Sequence, residues 1–261
     1  GQGNIPEALQ FLAKLHHDYP EHLPGAWRYA GLLFDRGKYA AARAVMELLV
    51  RQQLGEDPSV IEVRRQLART CEKMNDFKAA LAEYDTLVAV APAKTDFVFA
   101  RGLLRSELKQ WAAALDDFLL VGRERPTFDE ALWRQAEALL ALARPAEAKP
   151  VLRRLVELKR NHLAGLTALG GLLLNEGDAR GALDLLQAAV KEAGGLASEP
   201  YALLARAWRE LDEPLRGVRL LEEKVTLFPD PKLRATLQFE MALGYDRMGD
   251  RAKAQACMRE V

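Results

Sequence analysis

Metal binding and acid–base or nucleophilic catalysis require histidine, cysteine or carboxylate side chains at defined spacings. His16 and His17 are adjacent at a predicted helix end, and neighbouring residues on a helix point in different directions. His22 follows in a loop, and His162 is isolated. The spacing therefore predicts neither a metal site nor a catalytic base.

The remaining reactive residues form no catalytic motif either. Cys71 and Cys257 are far apart and are interpreted as small hydrophobic side chains. The carboxylate pairs Asp116-Asp117 and Glu222-Glu223 are interpreted as solvated helix faces. There is no phosphate-binding loop after a strand and no recognisable Ser/His/Asp order. We therefore predict that the chain is not an enzyme, has no catalytic residues and needs no cofactor.

Composition indicates a helical protein with a large core. The 261 residues are 49% hydrophobic, and alanine and leucine, which favour helices, dominate. Runs rich in valine, isoleucine and threonine are absent, so strands are not expected. Lysine plus arginine and aspartate plus glutamate each total 37, so the formal charge gives no general affinity for nucleic acids or membranes. No stretch approaches the ~20 apolar residues of a membrane span.

Small residues recur at intervals of about 34 residues, a period typical of helical solenoids. One series comprises Ala8, Ala42, Ala80, Ala114, Ala148, Ala182, Gly217 and Ala254. Each is followed one helical turn later by a large residue, in order Leu12, Met46, Tyr84, Phe118, Leu152, Leu186, Leu221 and Met258. A second small series precedes the first, at Ala30, Ala68, Gly102, Ala136, Gly170, Ala205 and Ala242. The pattern predicts helix pairs that approach closely at the small residues, with the large residues filling the space beside them.

Breaker residues separate the two helices of each predicted pair. They are Gly37, Asn75-Asp76, Gly177-Asp178, Asp212-Glu213-Pro214 and Gly249-Asp250. Glycine suits a left-handed helix end, and aspartate or asparagine suits the N-cap of the next helix.

This pattern resembles the tetratricopeptide repeat family, whose signature is W-x2-L-G-x2-Y, then A-x3-F, then P. LTALGGLLLNEGDARGALDLLQAAV (Leu166–Val190) and LQFEMALGYDRMGDRAKAQACMREV (Leu237–Val261) carry the signature well. The resemblance implies an all-α fold, a right-handed superhelical solenoid of antiparallel helix pairs with about seven and a half units. It covers the whole chain and is specific for the fold, but the signature residues build the scaffold and do not define a function.

In this register the whole chain is a single solenoid. The predicted units are 1–22 (partial), 23–56, 61–94, 95–128, 129–162, 163–196, 198–231 and 235–261 (partial). Neither end carries the polar capping repeat that closes most arrays. We therefore expect a fragment of a longer array, with any targeting region outside it.

In this family the first helix of each unit lines an extended concave surface. Aromatic and arginine residues recur at the facing positions, and both are enriched in interface hot spots. The resemblance implies that the partner-binding residues are Trp27, Arg28, Phe34, Arg65, Arg69, Phe99, Leu103, Trp133, Arg134 and Glu137. For the aromatic residues, packing against the neighbouring first helix is the alternative.

Arg101 and Arg105 depart from the family pattern, which usually has apolar residues at their positions. They lie one turn apart and flank Gly102. One interpretation is that their stems pack while their charged ends reach solvent or a neighbouring carboxylate. The other is that they bind an acidic group of a partner.

We expect the chain to be a scaffold that binds a peptide or a helix of another protein in its concave groove. The alternative is a structural module, with self-association as an option, of a bacterial envelope, exopolysaccharide-export or secretion complex. Nucleic-acid binding is not expected, because the facing positions lack the regular polar pattern of RNA-reading repeats. The residues leave the compartment open between cytoplasm and periplasm.

Overall fold

The computed structural model describes residues 5–52, 58–195 and 197–261, and within these ranges it contains helices and no strands. The predicted all-α fold, a solenoid of helical repeats, is confirmed. The predicted unit ends at residues 56 and 196 lie outside the described ranges, as do residues 1–4 of the first predicted unit. The repeat boundaries therefore stay a prediction. The chain divides into two compact units, the first ending at Pro126 and the second beginning at Thr127.

The first unit contains seven helices within its described residues. They are α1 (Ile5–Asp18), α2 (Leu23–Asp35), α3 (Tyr39–Gln52), α4 (Pro58–Lys73), α5 (Phe77–Val90), α6 (Thr95–Glu107) and α7 (Trp111–Glu124). Packed pairs form between α2 and α3, between α4 and α5, and between α6 and α7. Within each pair a turn of three residues joins the helices, so the chain reverses and lays the second helix on the first.

The second unit repeats this arrangement. Its helices are α8 (Asp129–Ala141), α9 (Pro145–Leu158), α10 (Leu163–Asn175), α11 (Ala179–Ala193), α12 (Glu199–Glu210), α13 (Pro214–Lys224), α14 (Pro231–Arg247) and α15 (Arg251–Arg259). Successive helices again form packed pairs from α8 with α9 to α14 with α15. Here α12 also packs against both α10 and α14.

Every three-residue turn inside a pair contains one residue in the left-handed region of backbone space. At five turns it is a residue type that the sequence marks as a breaker: Gly37 (φ 70°), Asn75 (φ 58°), Gly177 (φ 82°), Asp212 (φ 60°) and Gly249 (φ 81°). At the other two turns it is Lys109 (φ 57°) or Ala143 (φ 55°), whose side chains disfavour this conformation. The packing of the helix pair therefore imposes the turn even where local preference opposes it.

Aspartate caps the second helix after three of these turns. Carboxylate Oδ1 of Asp76 accepts a hydrogen bond from the backbone N–H of Ala79 at 3.1 Å, and Asp178 accepts one from Gly181 at 2.8 Å. Asp250 does the same for the third residue after it, at 3.1 Å. These caps agree with the N-cap role that the sequence predicts for aspartate after the breaker.

The small residues of the repeat lie at the centre of the helix pairs. From Ala42 to Gly217 every member of the first small series is buried, and so is the large residue one turn after each. The outermost members differ: Ala8 is exposed, and the side chain of Met258 is 49% exposed. No further helix within the described residues covers α1 or α15 on its outer side, so these residues have less to pack against.

Gly217 lies where α13 meets α12, and this contact generates a stability prediction. A Cβ atom there would lie 2.9 Å from the Cα of Ala205 and 3.0 Å from its carbonyl oxygen, which are backbone atoms and cannot rotate away. Gly217→Ala should therefore lower the free energy of unfolding by about 1–3 kcal/mol, although alanine favours helices. Urea unfolding followed by circular dichroism measures the change.

Gly171 provides a control in the same unit. A Cβ atom there would meet only Cδ1 of Leu203, at 3.5 Å, which is an ordinary contact. Gly171→Ala should therefore raise stability by up to about 1 kcal/mol, because alanine is the better helix former. Equal effects of the two substitutions would contradict the close approach at Gly217.

Candidate functional site

A cleft of about 620 Å³ opens in the first unit between α4 and α6. Its walls come from α4, α5, the turn before α6, the start of α6 and the residue that follows α7. The lining residues are Glu62, Arg65, Arg69, Tyr84, Ala93, Lys94, Thr95, Asp96, Phe97, Ala100 and Arg125. The lining thus combines charged side chains with aromatic and small apolar ones, a combination that suits a peptide better than a purely apolar ligand.

The helical register of α4 places three charged residues along this cleft. Glu62, Arg65 and Arg69 are three and four residues apart, so they share one face of the helix. Val63 and Leu67, which lie between them in sequence, are buried in the core of the first unit. Core packing of the apolar face therefore fixes the direction in which the charged face points.

The two arginines of α4 differ in their electrostatic environment. Nε of Arg65 donates to Glu62 at 2.9 Å, and its Nη2 donates to the second oxygen of the same carboxylate. These hydrogen bonds raise the pKa of Arg65 further above its ordinary value. Arg69 is exposed, and its guanidinium carbon lies 5.9 Å from the centroid of the Phe34 ring. Within the described residues no carboxylate pairs with Arg69.

Tyr84 of α5 forms part of the cleft and is otherwise buried. Its hydroxyl donates a hydrogen bond of 2.6 Å to the carboxylate of Glu72. Burial raises the pKa of Tyr84 above its ordinary value, and the neighbouring carboxylate of Glu72 raises it further. The phenol therefore stays protonated, and its hydrogen bond holds the ring in place beside the charged face of α4.

The turn before α6 supplies another cation. Nζ of Lys94 lies 5.7 Å from the centroid of the Phe97 ring, and Lys94 is the N-cap residue of α6 without a side-chain capping hydrogen bond. Also in the cleft lining, Nη1 of Arg125 forms an ion pair with Oδ1 of Asp96 at 2.6 Å. Lys94 therefore resembles Arg69: each holds its charge over an aromatic ring.

Of the ten predicted partner-binding residues, the cleft brings together Arg65 and Arg69. Trp27 and Phe34 are half-buried against the core of the first unit, and the Phe99 ring lies 5.8 Å from that of Phe118. Arg28 is exposed on α2, and Leu103 is half-buried on α6. The aromatic residues thus pack against their own unit while keeping part of their surface open, and their role in binding stays a prediction.

The sequence reasoning missed most of the cleft, including Tyr84, Lys94 and Phe97. It assigned Tyr84 to the scaffold, because Tyr84 occupies the large position of the repeat. Lys94 and Phe97 lie at the start of α6, outside the facing positions of the repeat register. The signal that could have found Lys94 and Phe97 is a cation and an aromatic residue three apart next to a helix start, a spacing that allows them to stack.

In the second unit, α8 carries the remaining predicted residues. The Trp133 ring lies 5.6 Å from the His162 ring, and Trp133 packs against the core of this unit. Arg134 donates to Glu130 at 2.9 Å and to Glu137 at 3.0 Å. These two carboxylates already satisfy Arg134, so its charge is largely neutralised within the helix.

The structure supports the interpretation in which Arg101 and Arg105 reach neighbouring carboxylates. Arg101 donates to Asp117 at 2.6 and 3.1 Å, and Arg105 donates to it at 2.9 Å. Asp85 accepts hydrogen bonds from the same two arginines at 3.0 and 3.3 Å.

The interpretation of Asp117 as part of a solvated helix face was wrong. Its side chain is only 3% exposed, because the two arginines supply the partners that a buried carboxylate needs.

Two features are absent from the described residues. In that part of the chain no group of three or more histidine, cysteine or acidic side chains has an arrangement that could hold a metal ion. Among the described helices, none combines the length and the apolar character needed to cross a membrane.

Comparison with known families identifies the repeats. Three family models, each described as tetratricopeptide repeat, match residues 1–55, 65–127 and 130–158. A search among curated proteins found no match.

Solved structures with the same fold are similar along most of the chain. One is the C-terminal part of a tetratricopeptide repeat-containing protein from Cytophaga hutchinsonii, with 13% identity, a TM-score of 0.66, and coverage of 98% of this chain and 95% of that one. Another is a tetratricopeptide repeat protein from Parabacteroides merdae, with 15% identity, a TM-score of 0.65 and coverage of 91% of both chains. A third is YrrB, described as a protein of this kind with an unusual peptide-binding site, with 21% identity, a TM-score of 0.57, and coverage of 66% of this chain and 88% of that one.

His162, beside Trp133, generates a pH prediction. Its Nδ1 accepts a hydrogen bond from the backbone N–H of Gly165 at 3.0 Å and caps α10. Burial lowers the pKa of His162 below its ordinary value of 6.5, and Lys159 acts in the same direction, while Asp129 and Glu130 oppose it. The unfolded chain therefore takes up the proton first, so this contribution to stability is present above about pH 6.5 and is lost as the pH falls.

The test compares wild type with His162→Asn. Asparagine is a good N-cap and does not titrate, so the variant should lose less stability than wild type between about pH 7.5 and about pH 5.5. Denaturant unfolding at each pH measures the difference. The same loss in both proteins would show that His162 does not carry this pH dependence.

Proposed function

Because the chain belongs to the tetratricopeptide repeat family, we propose that it is a scaffold whose first unit binds a peptide or a helix of a partner protein. The family's fold generally serves as a protein–protein interaction module, and its members are generally non-enzymatic scaffolds. The proposed binding surface is the cleft between α4 and α6 together with the exposed surface of α2, α4 and α6, which are the first helices of the pairs in this unit.

The open cleft of the first unit is the observation that carries this proposal. Its volume, about 620 Å³, is large enough to receive several side chains of a bound segment. Arg69 and Lys94 supply hydrogen-bond donors there, and Ala93 and Ala100 supply exposed apolar surface beside the nearly buried rings of Tyr84 and Phe97. A bound segment can therefore satisfy polar groups while burying apolar ones, which is what a specific peptide site requires.

The partly open aromatic residues of the first helices extend this surface. Trp27 on α2 and Phe99 on α6 are half-buried and so keep part of each ring accessible. An aromatic ring held by its own core loses little side-chain entropy when a partner covers the remainder. YrrB, a structural relative with an unusual peptide-binding site, is consistent with this use of the fold.

The proposal is tested with peptides selected by the purified chain from a random display library. The double variant Trp27→Ala/Arg69→Ala should bind the selected peptides at least about tenfold more weakly, because tryptophan and arginine at the centre of an interface often contribute 2 kcal/mol or more. Fluorescence anisotropy of the labelled peptides measures the affinity. Trp133→Ala, tested separately, reports whether the second unit takes part.

Trp111→Ala/Arg123→Ala is the matched control. These residues have the same types and lie in the same unit, but on α7, the second helix of its pair, outside both the cleft and the first helices. Circular dichroism must first establish that both double variants fold, since both tryptophans are half-buried. If Trp27→Ala/Arg69→Ala keeps the affinity of wild type, the peptide does not bind at the proposed surface.

Self-association is a second candidate, favoured by an apolar groove of about 420 Å³ on α14 and α15. Phe239 is 42% exposed and Met258 is 49% exposed, and both line this groove beside Leu243. Exposed apolar residues that cluster in this way are common at protein interfaces. This surface would suit a structural module that pairs with a second copy of itself.

Light scattering over a range of concentrations tests self-association. If the groove mediates it, wild type should form a dimer as concentration rises, and Phe239→Glu/Met258→Glu should stay monomeric because it places charges in the contact. Leu119→Glu, at an exposed apolar residue of α7, is the control and should leave the dimer intact. A wild-type protein that stays monomeric at every concentration excludes this candidate.

A further inference from the structure

The cleft between α4 and α6 has more cationic groups than its own carboxylates can pair with, and this charge excess points to the chemistry of its ligand. Its lining includes four cationic side chains, Arg65, Arg69, Lys94 and Arg125, and two acidic ones, Glu62 and Asp96. Both carboxylates are engaged, Glu62 by Arg65 and Asp96 by Arg125. Within the described residues, Arg69 and Lys94 have no carboxylate partner.

We propose that the cleft recognises an acidic peptide segment, whose aspartate or glutamate side chains pair with Arg69 and Lys94. This inference rests on the proposed function of the cleft as a peptide site and adds the charge of the peptide. The segment also carries apolar side chains that cover Ala93 and Ala100.

Aromatic rings hold both cations where a ligand can reach them. The guanidinium carbon of Arg69 lies 5.9 Å from the Phe34 centroid, and Nζ of Lys94 lies 5.7 Å from the Phe97 centroid. A ring restricts a long side chain without using its hydrogen-bond donors, so the donors stay available for a carboxylate. Charge-assisted hydrogen bonds to these donors are stronger than neutral ones.

The apolar part of the lining favours a peptide over a small anion. Ala93 and Ala100 present small, partly exposed side chains, and the nearly buried rings of Tyr84 and Phe97 line the cleft beside them. Since Tyr84 is held by its hydrogen bond to Glu72, this surface is preformed. A segment that alternates acidic and apolar residues covers both kinds of surface at once.

The arrangement of charges favours carboxylates over phosphate groups. Recognition of a phosphoryl dianion usually uses arginines that converge on one point. Here Arg65 is engaged through two hydrogen bonds with Glu62, so Arg69 has no second unpaired arginine beside it within the described residues. Glu62 and Asp96 also interrupt the positive surface, which disfavours a continuous polyanion such as RNA.

Peptides selected from the random library by wild-type protein provide the test. They should be enriched in aspartate and glutamate, and replacing those residues by asparagine and glutamine should weaken binding about fivefold or more. Binding should also weaken as salt is added.

The charge-reversal variant Arg69→Glu/Lys94→Glu should lose the acidic peptides and instead select peptides rich in lysine and arginine. Arg123→Glu, an exposed cation on α7 outside the cleft, is the control and should keep the acidic preference.

The outcomes separate this inference from the proposed function. Selected peptides that are neutral or basic and still depend on Trp27 overturn the acidic assignment and leave the peptide site standing. A preference of more than about tenfold for phosphoserine over glutamate at the same peptide position overturns the choice of carboxylate. If wild type selects no peptides at all, both the proposed function and this inference fail.

Discussion

The close approach of two helices at a buried alanine or glycine is the constraint on which the rest of the structure depends. At Gly217 a single added carbon would lie 2.9 Å from the backbone of the facing helix. The large residue one turn later then fills the space beside the contact, as Phe118 and Leu152 do without any exposed surface. Because each pair packs tightly in this way, the rotation of each helix about its own axis is fixed. The packing therefore determines whether each remaining side chain contacts a neighbouring helix or solvent.

The packing also determines which charged side chains form ion pairs within the protein and which keep hydrogen-bond donors for a ligand. Asp117 is drawn into the first unit together with Arg101 and Arg105, and the three satisfy one another. Arg134 is similarly occupied by carboxylates of its own helix. Arg69 and Lys94 lie over aromatic rings instead, and rings leave hydrogen-bond donors open. The distinction between structural and available charge therefore depends on what lies opposite each side chain, and residue type alone does not indicate it.

The turns show how far local preference can be overridden by packing. Glycine, asparagine and aspartate mark five of the turns in the sequence, and the structure places their left-handed residues there. Lys109 and Ala143 adopt the same conformation with nothing in their type to favour it. The energy for this conformation comes from the helix pairs on either side, which pack only if the chain reverses within three residues. Local sequence alone could therefore not predict these two turns.

The sequence by itself determined the helical repeat and the buried residues at its centre, because close packing demands small and large side chains at a fixed spacing. Aspartate caps such as Asp76 were also readable, since a cap depends on residues only three apart. The cleft was only partly readable. Arg65 and Arg69 follow from the register of α4, but Tyr84, Lys94 and Phe97 join them from other elements. Only the tertiary structure decided which cationic side chains stay unpaired and able to bind a ligand. Ion pairs such as Arg101 with Asp117 join residues that come together only when the helices pack.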